Sequence, residues 1–132
     1  MRIVRTKIIY PELSYKINGI LFAVHNELGR YCNEKQYCDG IEAWLKKMKI
    51  PYRRELVLPP SFDGERPGRN RVDFLIDEKI IVEVKAKPFI ERVDFYQAKR
   101  YQRAFGSKLT LLANFRQQYM KPKRVINSSV PE

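Results

Sequence analysis

The feature that most constrains this fold is the segment 71–85, in which apolar residues recur at every second position in two short runs. Alternation with a period of two is typical of β-strands that are buried on one face. The runs occupy positions 71–76 and 80–85, and the polar residues Asp77, Glu78 and Lys79 separate them. This pattern predicts a β-hairpin with a three-residue turn.

The register of this hairpin follows if its apolar residues share one face, since a slip of one residue would exchange the two faces. The residues that must share it are Val72, Phe74, Ile76, Ile80, Val82 and Val84. A three-residue turn then pairs Ile76 with Ile80 and places Asp73 directly opposite Glu83. Opposed side chains have Cβ atoms roughly 4.5–5.5 Å apart, so the two carboxylates repel each other unless a cation lies between them.

Two cations are candidates for that position. One is the ammonium group of Lys85, two residues beyond Glu83 on the same face of the strand. The other is a hard divalent ion such as Mg²⁺, which prefers carboxylate and water oxygens, with Mn²⁺ as an alternative. A simpler explanation is a surface hairpin whose outer face carries ordinary solvated charges, because Asp followed by Glu-x-Lys often arises by chance in a highly charged chain.

The charge of the chain favours a polyanionic partner such as DNA or RNA. Lys and Arg number 26 against 15 Asp and Glu, which gives a net charge of +11. Positions 95–131 hold eight basic residues and no acidic residue, so one end of the domain should be strongly positive. This excess favours nucleic-acid binding, although proteins with other functions are also basic.

Length and composition predict one folded domain over residues 1–132. The sequence has no apolar run near 18 residues and no secretory leader, so we expect a cytoplasmic protein with no membrane partner. Cys32, Cys38 and the lone His25 are too few and too poorly spaced for a tetrahedral zinc site. We expect reduced thiols, and a structural hydrogen bond for His25.

The remaining segments predict an α/β fold. Helices are expected at about 14–28, 33–48 and 91–105, the first of them capped by Ser14. Strands are expected at 52–58, 108–114 and 123–127 in addition to the hairpin. Residues 1–10 fit either a short strand or a frayed lead-in, and the turn-rich loop 61–70 fits either a lip over the site or a simple connector. This order implies a mixed central sheet flanked by helices, which is a three-layer sandwich.

A basic stripe lies on the third predicted helix. Arg92, Tyr96, Lys99 and Arg103 follow one another at i, i+4, i+7 and i+11, which places them on one side of the helix. A solvated surface is the usual explanation of such a run. Because this helix directly follows the strand with Glu83, the stripe is also a candidate nucleic-acid surface that would contact phosphates beside the carboxylates.

Several separated stretches resemble one known family. They are 11–17, 24–29, Glu34-x-x-Tyr37, 68–69, 73–76, 81–85, Asp94 with Gln97 and Tyr101, 111–115 and 123–127. In this order they are similar to the GxxExxY proteins, a branch of the PD-(D/E)XK nuclease-like superfamily. The similarity covers about residues 11–127, which the resemblance implies are the core of the domain. The first glycine of that signature would fall at Tyr31, and Gly29 is the glycine nearby. The resemblance implies that the three-layer sandwich is of the restriction-endonuclease-like type.

The resemblance also implies a role for each residue of the site. Asp73 and Glu83 would hold Mg²⁺, and Lys85 would orient or activate the attacking water. Glu34 would be an accessory acid that adds a metal contact, although an acid in the first turn of a helix is also explained by the helix dipole alone. Gln97 would order Lys85 or a phosphate.

The leading hypothesis is therefore a metal-dependent nuclease that acts on DNA or RNA. A non-cleaving nucleic-acid-binding module with the same fold and basic surface is an alternative, and so is an interaction protein with a vestigial carboxylate cluster, because a fold does not guarantee activity. A second copy of the chain, or a partner chain, would complete the nucleic-acid groove of so small a protein.

Overall fold

The computed structural model describes residues 8–131, in which three helices and five strands follow one another in the predicted order. They are α1 (Pro11–Leu28), α2 (Glu34–Lys47), β1 (Tyr52–Val57), β2 (Arg71–Ile76), β3 (Ile80–Lys85), α3 (Arg92–Phe105), β4 (Leu109–Asn114) and β5 (Lys123–Ile126). The alternatives for residues 1–10 fall largely on residues 1–7, which lie outside the described residues. No described helix is long and apolar enough to cross a membrane.

The strands form one mixed sheet in the order β1-β2-β3-β4-β5. Neighbouring strands are antiparallel except β3 and β4, which run parallel from Ile80 opposite Leu109 to Lys85 opposite Asn114. A parallel pair needs a crossover connection, and α3 provides it. The crossover brings α3 back over the sheet immediately after the strand that carries Glu83.

Helices cover both faces of the sheet. The core between α1, α2 and the sheet includes Ile17, Tyr37, Leu45, Phe74 and Val82. On the opposite face, Tyr101 of α3 packs with Leu75 and Ile81, and Ala98 packs with Leu112. The predicted three-layer α/β sandwich is therefore confirmed.

The central hairpin is buried on both faces, so the expectation of half-buried strands is wrong. Leu75 and Ile81 have 0% of their surface exposed, because α3 lies over the face that would otherwise meet solvent. Val72 was expected to share a face with Phe74, but it packs in the cluster beneath α3 with Leu75 and Tyr101.

The strand geometry changes at Asp73. β1 pairs with β2 on either side of this residue, but Asp73 and the opposing Glu55 are not themselves paired. Glu55 has a φ of 53°, a left-handed conformation that residues other than glycine rarely adopt. The pairing of β2 with β3 ends one residue away, at Phe74. This irregularity explains why Val72 leaves the face of Phe74.

The helix ends are set by local chemistry. α1 begins at Pro11 rather than after the predicted cap Ser14, because proline lacks the N–H that the first turn leaves unpaired. Ser14 is buried, and its hydroxyl donates to the Ile9 carbonyl at 2.7 Å. α2 begins with a capping box in which Asn33 and Gln36 exchange side-chain and backbone hydrogen bonds. That box fixes Glu34 as the first residue of α2.

Candidate functional site

The opposition of Asp73 and Glu83 follows the predicted register. Ile76 pairs with Ile80 and Phe74 with Val82, so the next residues outward on the two strands are Asp73 and Glu83. At this point the two strands are joined by hydrogen bonds between backbone and side chains instead of between backbones. The Asp73 N–H donates to Glu83 Oε1 at 3.0 Å, and the Val84 N–H donates to Asp73 Oδ2 at 2.7 Å. Each carboxylate is thus fixed by the backbone of the opposite strand.

Burial makes this pair electrostatically costly. Glu83 is only 4% exposed, and Asp73 is half-buried. Loss of solvent raises the pKa of Asp73. Loss of solvent, reinforced by the charge of Asp73, raises the pKa of Glu83 to about 8. Solvated surface charges, the simpler explanation of this hairpin, are therefore wrong for Glu83.

The pair still presents oxygens to a cation. Within residues 8–131, neither Asp73 Oδ1 nor Glu83 Oε2 accepts a hydrogen bond. The fully buried side-chain polar atoms without a partner in this part of the chain are Asn18 Oδ1 and Thr110 Oγ1, so the two carboxylate oxygens keep some contact with solvent. Two adjacent carboxylates of this kind are the protein ligands that Mg²⁺ typically takes, since it keeps several waters and adds substrate phosphates.

Lys85 lies beside the pair but is held by α3. Its Nζ donates to Gln97 Oε1 at 2.9 Å and lies 3.8 Å from Asp94 Oδ1. Among the described residues it forms no ion pair with Asp73 or Glu83, so it is not the cation between them that the sequence offered as one candidate. Gln97, expected to order Lys85 or a phosphate, is placed by the structure on Lys85.

Asp94 and Lys87 belong to the site although sequence reasoning assigned them no role. Asp94 is buried, and its two oxygens accept hydrogen bonds from Lys87 Nζ at 3.0 and 3.3 Å. Burial acts to raise the pKa of Asp94, but the Glu91 N–H and the Lys87 ammonium outweigh it and hold that pKa below its usual value. Asp94 therefore stays ionised and faces both lysines. The sequence feature that could have identified Asp94 is its position as the N3 residue of a capping box with Glu91 at the start of α3.

Glu34 reaches the site through the turn between α1 and α2. Tyr37, three residues later, is fully buried and stacks on Phe115 with ring centroids 4.2 Å apart. Its hydroxyl donates to the Gly29 carbonyl at 2.6 Å and accepts from the Cys32 N–H at 3.1 Å. Tyr37 thus ties the end of α1 to the start of α2, and Gly29 takes the positive φ of 77° that closes α1.

The predicted metal contact of Glu34 stays a prediction. Residues 8–131 contain no group of three or more His, Cys, Asp or Glu side chains placed to hold one metal ion. Glu34 is nevertheless electrostatically coupled to the site. Its pKa is raised above the usual value, mainly by burial; the charge of Lys85 acts to lower this pKa and the charge of Asp73 acts to raise it. The structure therefore brings Asp73 and Glu83 together, and Glu34 lies near enough for its charge to interact with both.

The predicted basic stripe is accessible on α3. Arg92, Tyr96, Lys99 and Arg103 are all exposed. None of the three cations forms an ion pair with any residue in the described range 8–131. Tyr96 precedes Gln97, whose side chain holds Lys85, so the stripe passes next to the residue that contacts Lys85 and continues along the helix to Arg103.

His25 and the cysteines have structural surroundings. His25 Nε2 lies 2.8 Å from the Gln117 carbonyl, which is the structural hydrogen bond expected of it. Cys32 and Cys38 are free thiols. Burial raises the pKa of the Cys38 thiol to about 12, and the charge of Asp73 acts in the same direction. Cys38 is therefore a buried, protonated thiol.

Comparison with known proteins agrees with this geometry. A family model described as the PD-(D/E)XK nuclease superfamily matches residues 11–126. Neither a curated protein nor a solved structure matches the chain. The matched range contains α1 through β5 and every residue of the site described above. The chain therefore belongs to the PD-(D/E)XK nuclease superfamily.

Proposed function

We propose that this protein is a metal-dependent nuclease that hydrolyses phosphodiester bonds in DNA or RNA, and that it belongs to the GxxExxY branch of its superfamily. The observation that carries the proposal is the Asp73–Glu83 pair. Each carboxylate uses one oxygen to bond the opposite strand and keeps the other free of protein hydrogen bonds. Such an arrangement costs stability in the free protein and is explained if a cation binds there.

In this proposal Asp73 and Glu83 hold Mg²⁺, with Mn²⁺ as a substitute. A bound divalent ion lowers the pKa of its water and stabilises charge on the phosphate that is attacked. Glu34 would act on the ion through a water molecule, since among the described residues it forms no three-ligand group with Asp73 and Glu83. It would serve as the accessory acid that the family resemblance implies.

Lys85 would orient the attacking water with its ammonium group. Its position is supported by Gln97 at 2.9 Å and Asp94 at 3.8 Å, both on α3. Gln97 and Asp94 are positioning residues in this scheme, since they touch Lys85 and not the reacting atoms. Asp94 also balances the charge of Lys87, so two lysines are held beside the site without neutralising the carboxylate pair.

The exposed stripe of α3 would contact the substrate. Lys99 and Arg103 form no ion pair with the described residues, so their charges are available to phosphates. Binding of this kind depends on salt and does not by itself select a sequence. A second copy of the chain or a partner chain, and a cytoplasmic location, remain predictions from the sequence.

A non-cleaving nucleic-acid-binding protein is the second candidate. It is favoured by one observation, that residues 8–131 offer two carboxylates to a metal and no third ligand of the His, Cys, Asp or Glu type. A weak metal site would leave the basic surface of α3 as the functional feature.

Calorimetric titration of Mg²⁺ and Mn²⁺ tests the two candidates against each other. The wild-type protein is compared with Asp73→Asn and Glu83→Gln, which keep side-chain shape but remove charge. Glu12→Gln, at an exposed position of α1, is the matched control. The same samples are then incubated with single- and double-stranded DNA and RNA.

A nuclease site predicts that metal binding and cleavage are both lost in the two site variants and retained in the control. Nucleic-acid binding without metal heat, without cleavage and without an effect of either site variant would refute the nuclease proposal. That outcome would favour the binding protein.

A further inference from the structure

The loop between β1 and β2 is held together by internal hydrogen bonds and lies against α3. Glu65 Oε1 accepts hydrogen bonds from Ser61 N at 2.8 Å, Ser61 Oγ at 3.1 Å and Asn70 Nδ2 at 2.9 Å. Asn70 is buried, and its Oδ1 accepts from Arg100 Nε of α3 at 3.3 Å. The loop is therefore closed on itself and tied to α3, which makes it more than a connector.

A cavity of about 450 Å³ lies between this loop and α3, and two exposed aromatic residues line it. Phe62 comes from the loop and is 61% exposed, while Tyr96 comes from α3 and is 64% exposed. Exposure of large aromatic rings to water is energetically unfavourable compared with their burial. Aromatic side chains that line a basic cavity are, in contrast, typical platforms for nucleic-acid bases, because every base has a face that can stack.

The charges around the cavity suit the backbone that would accompany a base. Lys99, Arg100 and Arg103 line it together with the two rings. Lys99 and Arg103 form no ion pair with residues 8–131. Glu65 also lines the cavity, but its Oε1 already accepts three hydrogen bonds from the loop. The three cations outnumber this one carboxylate, so the balance of charge at the cavity is positive.

We propose that this cavity receives an unpaired base of a single-stranded nucleic acid, which stacks on Phe62 and Tyr96 while Lys99 and Arg103 contact the neighbouring phosphates. In a duplex the faces of the bases are stacked on one another and cannot reach such rings. The inference rests on the proposed function, because it names the class of substrate for the same site. It makes the substrate a single strand or an unpaired segment of a longer molecule.

Fluorescence anisotropy in EDTA measures this binding apart from any cleavage. The probes are a short labelled oligothymidylate, a short labelled oligouridylate and a mixed-sequence DNA duplex of the same length. The variants are Phe62→Ala, Tyr96→Ala and the double variant. Tyr15→Ala is the matched control, since Tyr15 is 80% exposed on α1 and does not line this cavity.

Each single variant should weaken single-strand binding by about 5- to 150-fold, because stacking of one base on an aromatic ring contributes about 1–3 kcal/mol. The duplex affinity and the Tyr15→Ala affinity should change less than about 2-fold. If the ring variants lose affinity for oligothymidylate or for oligouridylate, the proposed base-binding cavity is supported. The polymer that shows the larger loss is the one that the cavity prefers.

Unchanged single-strand affinity in the double variant overturns the inference, as does an equal loss for the duplex. The binding result can be interpreted separately from the test of nuclease activity. Failure to cleave would count against the nuclease proposal and would leave the binding data in EDTA intact, whereas unchanged affinity would count against the cavity alone.

Discussion

Glu83→Gln should remove a pH-dependent destabilisation of the metal-free protein. Burial first, and then the charge of Asp73, raise the pKa of Glu83 from 4.5 to about 8. The folded state therefore favours the protonated acid, while the unfolded state ionises above pH 4.5. The stabilising contribution of Glu83 to the free energy of unfolding is therefore fully present below pH 4.5 and is lost progressively as the pH rises to about 8. Glutamine keeps an oxygen that accepts the Asp73 N–H but does not ionise.

The size of the effect follows from these two pKa values. Proton linkage for a single group predicts that the free energy of unfolding falls by about 3 kcal/mol between about pH 5.5 and 8.5. For a chain of this length that corresponds to a melting temperature lower by roughly 10 °C. Thermal unfolding followed by circular dichroism in EDTA, for wild type and Glu83→Gln at both pH values, measures the difference.

Two comparisons make this test specific. Asp73→Asn should reduce the pH-dependent loss without abolishing it, because burial is the larger cause of the raised pKa and the charge of Asp73 the second. The exposed control Glu12→Gln should behave as wild type. If the wild-type protein keeps the same stability relative to Glu83→Gln at both pH values, or gains stability at the higher one, the reasoning is refuted.

Three further substitutions test the fold that supports the site, each by urea unfolding. Thr110→Val should raise the free energy of unfolding by about 1 kcal/mol, because valine keeps the shape of a buried side chain whose Oγ1 has no partner among the described residues. Asn33→Ala should lower it by about 1 kcal/mol through loss of the capping box. Tyr37→Phe should lower it by roughly 1 kcal/mol, because the Gly29 carbonyl loses its donor while the ring stack on Phe115 remains. The opposite sign in any of them would contradict the corresponding contact.

The sequence specified the hairpin because its information there is local. Period-two alternation and a three-residue turn were enough to place Asp73 opposite Glu83, and the observed pairing of Ile76 with Ile80 confirms that register. The same pattern could not show that α3 covers the outer face. Leu75 and Ile81 are apolar for that reason, and the burial of Glu83 follows from it.

The remaining differences come from tertiary contacts. Lys85 turns to Gln97 and Asp94 because α3 offers two acceptors, and no spacing within β3 indicates that choice. Sequence reasoning gave Asp94 and Lys87 no role because their pairing depends on how the chain turns between β3 and α3. Ser14 was misplaced as a helix cap because Pro11 begins the helix one turn earlier.

The exchange of hydrogen bonds between side chains and backbone at the hairpin has a consequence for observing the site. The amide protons of Asp73 and Val84 are donated to the two carboxylates themselves. Any proton or cation that binds these carboxylates withdraws electron density from the acceptor oxygens and so changes the resonance frequencies and solvent exchange of both amides. These two backbone groups are therefore intrinsic spectroscopic reporters, through which occupancy of the site can be followed without a label or a substrate.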